Sequence, residues 1–171
     1  TIDDGKIIID SADEENVYLI LNGVNIKCSD SAPIYVKNAK NAIITLAEGT
    51  ENYLEDATEY VYEEKNEDGT LTDEPSACVY SKDDLTINGT GTLNVIANYN
   101  NGIVSKDDLK VTGGNISVTA VHDGLRGKDS VKVKDGVFTV NAGGDVIKSN
   151  NDTDETKGTI AIEGGTLNIT S

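Results

Sequence analysis

Two stretches decide the fold: Asn101-Gly-Ile-Val-Ser-Lys-Asp-Asp-Leu109 and Asp123-Gly-Leu-Arg-Gly-Lys-Asp-Ser-Val131. They are the same pattern, displaced by 22 residues. Upstream, Ser81-Lys-Asp-Asp-Leu85 returns as Ser105-Lys-Asp-Asp-Leu109 after 24 residues. Downstream, Asp135-Gly-Val-Phe-Thr-Val140 returns as Gly164-Gly-Thr-Leu-Asn-Ile169 after 29, the extra seven fitting an acidic loop at about 150–157. A fixed period of this size marks a solenoid.

Within the period, apolar residues fall into columns. One column is Val79, Ile103, Leu125 and Ile147. A second holds the pairs Leu85/Ile87, Leu109/Val111, Val131/Val133 and Ile160/Ile162, and a third Leu93/Val95, Ile116/Val118, Phe138/Val140 and Leu167/Ile169. Spacing within a pair is two, the strand period. Gly and Asn/Asp stand between columns, where corners need them. The reading is an all-β parallel β-helix, about 22–24 residues per rung with three short strands each. Stacking places rungs ~4.8 Å apart and turns the columns into internal ladders. Strands of earlier rungs are expected in Lys6-Ile-Ile-Ile-Asp10, Val17-Tyr-Leu-Ile-Leu21, Ile34-Tyr-Val36 and Ala42-Ile-Ile-Thr-Leu46.

The 171 residues make one such domain, 1–171, interrupted by an inserted loop at about 51–76. That loop holds ten acidic residues and one Lys. Loops of this length are functional or disordered, and Tyr53, Tyr60 and Tyr62 favour a partly ordered flap. Net charge is −16, from 14 Lys+Arg against 30 Asp+Glu. Nucleic acid and anionic membrane surfaces are repelled by that balance, and no apolar run is long enough to insert in a bilayer. One His and two Cys exclude a His-based zinc cluster and a CxxC site. Cys28 and Cys78 either bridge two stacked positions or stay as buried thiols. The opening Thr1-Ile-Asp-Asp-Gly5 reads as the interior of a longer, secreted precursor whose leader lies outside this sequence.

The informative polar feature is a set of stacked acids. Asp83, Asp84, Asp107, Asp108 and Asp129 occupy one corner, and Asn101, Asp123 and Asp145 another. Stacked carboxylates repel, and a hard cation relieves this. Oxygen ligands without soft partners point to Ca2+. The plainer alternative is an ion-pair ladder in which Lys82, Lys106 and Lys128 neutralise the acids beside them. Arg126 is either a ligand for a sugar carboxylate or a partner for Asp145. Tyr35, Tyr80 and Tyr99 either present flat rings to sugar or pack beneath the flap. Of these, Tyr80, Tyr99 and Arg126 are the carbohydrate-binding candidates. His122 beside Asp123 reads as a satisfied corner residue rather than a general base, and no catalytic residue is assigned.

Several stretches carry a resemblance that covers nearly the whole chain: Val17-Tyr-Leu-Ile-Leu-Asn-Gly-Val-Asn-Ile26, Ile43-Ile-Thr-Leu-Ala-Glu-Gly-Thr-Glu-Asn52, Ser81-Lys-Asp-Asp-Leu-Thr-Ile-Asn-Gly89 and the two stretches quoted first. The sequence resembles secreted bacterial carbohydrate-binding domain-containing proteins, a family of right-handed β-helices that bind calcium and cellulose. The resemblance implies a right-handed solenoid, a secreted or cell-surface location, bound calcium, and a plant cell-wall polysaccharide partner: cellulose, or acidic polymers such as polygalacturonate. The fold is similar to that of calcium-dependent pectate lyases, some of which hold calcium at an Asp-Asp-Gly-x-Asp corner with an Asp one rung earlier. Here the corner is His122-Asp123-Gly124-Leu125-Arg126, with Asn101 one rung earlier, and only Asp123 matches. The expectation is therefore a non-catalytic polysaccharide-binding protein. The alternatives are a calcium-dependent lyase, with Lys128 or Lys148 as base, and a calcium-stabilised structural or adhesive surface protein.

Overall fold

The computed structural model describes residues 1–11 and 15–171, and all its regular structure among these is β. Six rungs follow one another, each of three strands. The first comprises β1 (Ile7–Asp10), β2 (Asn16–Leu21) and β3 (Asn25–Lys27); the second β4 (Ile34–Asn38), β5 (Asn41–Leu46) and β6 (Glu51–Glu55). The third comprises β7 (Ala77–Ser81), β8 (Asp84–Gly89) and β9 (Thr92–Ala97); the fourth β10 (Asn101–Ser105), β11 (Asp108–Val111) and β12 (Asn115–Ala120). Then come β13 (Leu125–Gly127), β14 (Ser130–Val133) and β15 (Val137–Ala142), and finally β16 (Ile147–Ser149), β17 (Thr159–Ile162) and β18 (Thr166–Thr170).

Every third strand pairs in parallel, giving three six-stranded sheets. The first runs β1-β4-β7-β10-β13-β16, the second β2-β5-β8-β11-β14-β17 and the third β3-β6-β9-β12-β15-β18. The register is the one the columns require. Ile103 aligns with Val79 and Leu125, and Leu125 with Ile147. Leu109 lies between Leu85 and Val131. Ile116 lies between Leu93 and Phe138, and Phe138 meets Leu167. These side chains interlock as one continuous core along the axis. Alternation with period two sends their neighbours outward.

Two corners show why particular glycines are needed. Gly136 turns with φ +126°, and a Cβ there would lie 2.9 Å from the Gly114 carbonyl of the preceding rung. Gly124 follows Asp123 where a Cβ would meet Val140 Cγ1 at 2.5 Å and the Val146 carbonyl at 2.7 Å, so only hydrogen fits.

The inserted loop is shorter than the sequence suggested. Its first five residues are β6, paired with β3 and β9. Charge disguised this strand. Glu51, Tyr53 and Glu55 alternate with the buried Asn52 and Leu54. Asn52 accepts the Gly23 and Val24 amides and donates to the Thr92 carbonyl, so its buried amide is satisfied. Residues 56–76 form the flap proper, which folds back over the outer face of the first sheet. The second loop, at 150–158, returns to Asp129 through Asn151 and Lys157. Cys28 and Cys78 are both buried and unbridged. None of the described residues forms a helix long and apolar enough to cross a membrane.

Candidate functional site

The first sheet's outer face carries two rows along the solenoid axis. In one, register aligns Ile8, Tyr35, Tyr80, Val104, Arg126 and Lys148. The other lies just past the paired residues of β7, β10 and β13 and holds Lys82, Lys106 and Lys128, in line with Lys37 of β4. The amides of Lys82, Lys106 and Lys128 bond to Val36, Ser81 and Ser105 carbonyls of the preceding rung at 2.9–3.1 Å, which fixes the row. Six of the chain's 14 basic side chains thus share one face.

The flap covers the first half of this face. Tyr35, Ala77, Tyr80 and Val104 make a second apolar cluster outside the main core. Tyr80 is 1% exposed, and Tyr99 stacks on Tyr60 of the flap at 4.2 Å between centroids and 19° between planes. Tyr80 thus packs beneath the flap, while Tyr99 is half-buried with one face covered by Tyr60. Their availability depended on how residues 56–76 dock, which no local spacing shows. Lys82 and Lys106 are likewise not paired with their neighbouring acids: both reach Glu74 of the flap, at 3.2 and 2.8 Å. Lys37 pairs with Glu64. Burial raises the Glu74 carboxyl, but Lys106, Tyr80 and Lys82 outweigh it and bring it down to about 2.

Beyond Glu74 the face is open. Lys106, Arg126 and Lys128 line a groove of about 250 Å³ between the flap and the 150–158 loop, together with Asp73, Glu74 and Asp152. Arg126 Nε donates to Asn150 Oδ1 at 3.1 Å, and its NH1 lies 4.0 Å from Asp123 Oδ2. Arg126 therefore neighbours Asp123 rather than Asp145, whose partner is Lys148 at 2.7 Å.

The two acidic corners differ. Asn101, Asp123 and Asp145 form a capping ladder: Asn101 Oδ1 accepts the Asp123 amide at 3.1 Å, and Asp123 Oδ1 accepts the Asp145 amide at 3.0 Å. Asp123 is wholly buried, and its Oδ2 has no hydrogen bond, although Lys148 Nζ lies 3.3 Å away. Lys148 bridges Asp123 and Asp145, so an ammonium already supplies the positive charge there. His122 Nδ1 lies 3.3 Å from Asn101 Oδ1 and 3.2 Å from Asp123 Oδ1, a corner residue as expected.

The second corner brings five acids together with a single paired lysine, Lys157. Asp83 accepts the Ala39 amide, Asp84 the Asp108 amide and Asp108 the Ser130 hydroxyl. Asp129 takes Asn151 at 2.6 Å and Lys157 at 2.5 Å. Burial pushes the Asp107 carboxyl up, and the charges of Asp129, Asp84 and Asp83 push it further. Asp84 is raised by burial and by Asp108, Asp129 and Asp83. Carboxylates crowded by like neighbours are what a hard cation would relieve. Among the described residues, no three His, Cys, Asp or Glu side chains enclose a metal by themselves, so carbonyls or water would complete any shell. The two corners thus differ in charge: Lys148 neutralises the Asp123 corner, and Lys157 alone reaches the crowded Asp84, Asp107 and Asp129 corner.

The comparisons with known proteins agree with this architecture. A family profile described as carbohydrate-binding domain-containing protein matches residues 1–171. A protein of that description from Acetivibrio thermocellus is 48% identical over 120 residues, which is 70% of this chain and 40% of that protein. A polysaccharide lyase-like protein from C. thermocellum, solved as a gadolinium derivative, is 46% identical and aligns with a TM-score of 0.89 over 96% of this chain and 64% of that one. The chain spans less than two thirds of either relative.

Proposed function

The chain belongs to the carbohydrate-binding domain-containing protein family, and from that premise we propose that it binds an extended acidic polysaccharide, without cleaving it, along the outer face of its first sheet. The observation that carries this reading is the basic row itself. In a chain of charge −16, a polyuronate is repelled almost everywhere. At the open groove Lys106, Arg126 and Lys128 offer adjacent cations to its carboxylates. A polygalacturonate of the plant cell wall, met outside the cell, has the matching chemistry. Calcium belongs to the reading as a structural ion held by Asp84, Asp107 and Asp129, with Asp83 and Asp108 beside them. Bound there, it would supply the charge that five clustered acids lack.

Cleavage by a lyase needs a base beside the uronate that gives up its proton near neutral pH. Lys148 is unsuited to this, since Asp145 first and Asp123 next raise its ammonium further. A second ligand is favoured by a separate observation. β9, β12, β15 and β18 carry no ionisable side chain, so beyond the charged Lys27, Glu51 and Glu55 of β3 and β6 the third sheet's outer face is a neutral lattice of Asn, Ser and Thr with Ile96 and Val137. That face suits a neutral glucan such as cellulose.

The test is co-sedimentation with polygalacturonate gel and with cellulose, in calcium and in excess chelator. Lys106→Glu/Lys128→Glu should lose the gel and keep the cellulose. Gel binding that survives this double substitution unchanged would remove the first-sheet assignment. An unsaturated uronate product absorbing in the ultraviolet would instead make the protein a lyase.

A further inference from the structure

Resting on the reading of the first sheet as an anionic-polysaccharide face, we propose that the flap is an internal occupant of that face: Glu64 and Glu74 set carboxylates on the lysine row where a polyuronate would set its own, and flap and polymer compete for it.

Four observations lead here. First, of the flap acids that line this face, Glu63, Glu64, Asp73 and Glu74, two contact the row itself. Glu64 takes Lys37, and Glu74 spans two rungs with one oxygen on Lys82 and the other on Lys106. A carboxylate shared between lysines of successive rungs is the contact a uronate chain lying along the axis would make. Second, the seating beneath the flap is incomplete. A cavity of about 210 Å³ lies there, lined by Tyr35, Lys37, Tyr62, Glu64 and Glu74 among others. Third, the Tyr35 hydroxyl is buried at that level with the Lys82 side chain beside it but no hydrogen bond of good geometry. The Lys37 and Lys82 ammoniums stand 5.6 and 5.9 Å from its ring. A buried hydroxyl without a good hydrogen bond is unfavourable and would be relieved by a hydroxyl-bearing guest. Fourth, the flap is anchored away from the row, by the Tyr60–Tyr99 stack and by the Asn98 amide, which donates to Asp56. Its hold on the row rests on partly exposed ion pairs, which are individually weak and screened by salt. The lysine row can therefore exchange partners without loss of the anchor. A polymer entering the open groove at Lys128 meets Glu74 on Lys106 as its first competitor.

The experiment is calorimetric titration of hexagalacturonate at fixed ionic strength and calcium into three proteins: wild type, Glu64→Gln/Glu74→Gln, and Glu55→Gln/Glu163→Gln. The last removes the same charge from pairs with Lys27 and Lys132 on the other two sheets. If the row is mostly occupied by the flap, freeing it raises apparent affinity roughly tenfold, by the fraction it was closed. The control pair should change affinity far less. Equal gains in both double variants would mean that net charge alone matters and would overturn the competition. So would wild-type binding that Glu64→Gln/Glu74→Gln leaves unchanged or weaker, with the first-sheet assignment still standing. Failure of all three proteins to bind would overturn that assignment and the competition with it.

Discussion

The Asp123 carboxylate accepts the backbone amide of Asp145, its equivalent one rung on, at 3.0 Å. Asn101 does the same for Asp123. The column is therefore a device for joining rungs at a corner, where the sheet ladder is interrupted and a buried or partly buried amide would otherwise lack an acceptor. Lys148 completes it by neutralising Asp123 from the outer face. Asp123→Ala should cost about 2–3 kcal/mol, the penalty of an unsatisfied amide and a halved ion pair, while Asp123→Asn, which keeps the acceptor, should cost about 1. Urea unfolding measures both. Equal losses would mean that charge, not the acceptor, holds the corner.

Calcium should discriminate between the corners. At a hundredfold excess over its dissociation constant, a bound ion adds about 2.7 kcal/mol, or roughly 5–10 °C in Tm for a domain of this size. Asp107→Asn should remove most of that increment, because Asp107 sits among the acids whose repulsion the ion relieves. Asp123→Asn should leave it intact. Thermal unfolding in calcium and in chelator decides, and the opposite order would move the ion to the Asp123 corner.

The internal ladder makes a positional expectation. Leu109 and Ile160 belong to the same column, linked through Val131. Leu109 is fully buried between rungs, whereas Ile160, on the last rung, is 47% exposed. Leu109→Ala should cost about 2–5 kcal/mol as a cavity-forming change. Ile160→Ala should cost clearly less. Similar losses would mean that the last rung's column is covered in solution.

The columns were legible because each is written twice, once by the strand period and once by the rung period. A strand with a single inward residue escapes that test, as Ile26 does in β3. β6 escapes for a different reason: Asn52 fills an inward position, and polar side chains do not mark a core. The acids were legible as a set but not their partners. Lys148 meets Asp123 from the next rung, and Glu74 comes to Lys82 and Lys106 from a flap with no repeat to align it. The lysine row itself was in the sequence, as the Lys of each Lys-Asp-Asp or Lys-Asp-Ser repeat. Adjacency in the chain suggested pairing with those acids. At a corner, however, successive residues point to different faces, so the ammoniums run along the first sheet instead.

The flap should hold most tightly in mildly acid solution. Asp56 is raised to about 6, chiefly by burial and against the opposing hydrogen bonds of Tyr60 and of the Asn98 and Tyr99 amides. A raised carboxyl stabilises the docked state below its free value, near 4, and loses that contribution as pH rises through about 6. Glu74 works in the other sense. Lowered to about 2, it stabilises docking above about 4.5 and loses this as the pH falls toward 2. The two windows overlap between about 4 and 5. Amide hydrogen exchange across residues 56–76, corrected for intrinsic rates, should show greatest protection there. Asp56→Asn should flatten the fall toward pH 7, and Glu74→Gln the fall toward pH 3. Protection that rises steadily to neutral pH in the wild type would mean that Asp56 is ionised in the docked flap, and that the ion pairs alone set its hold.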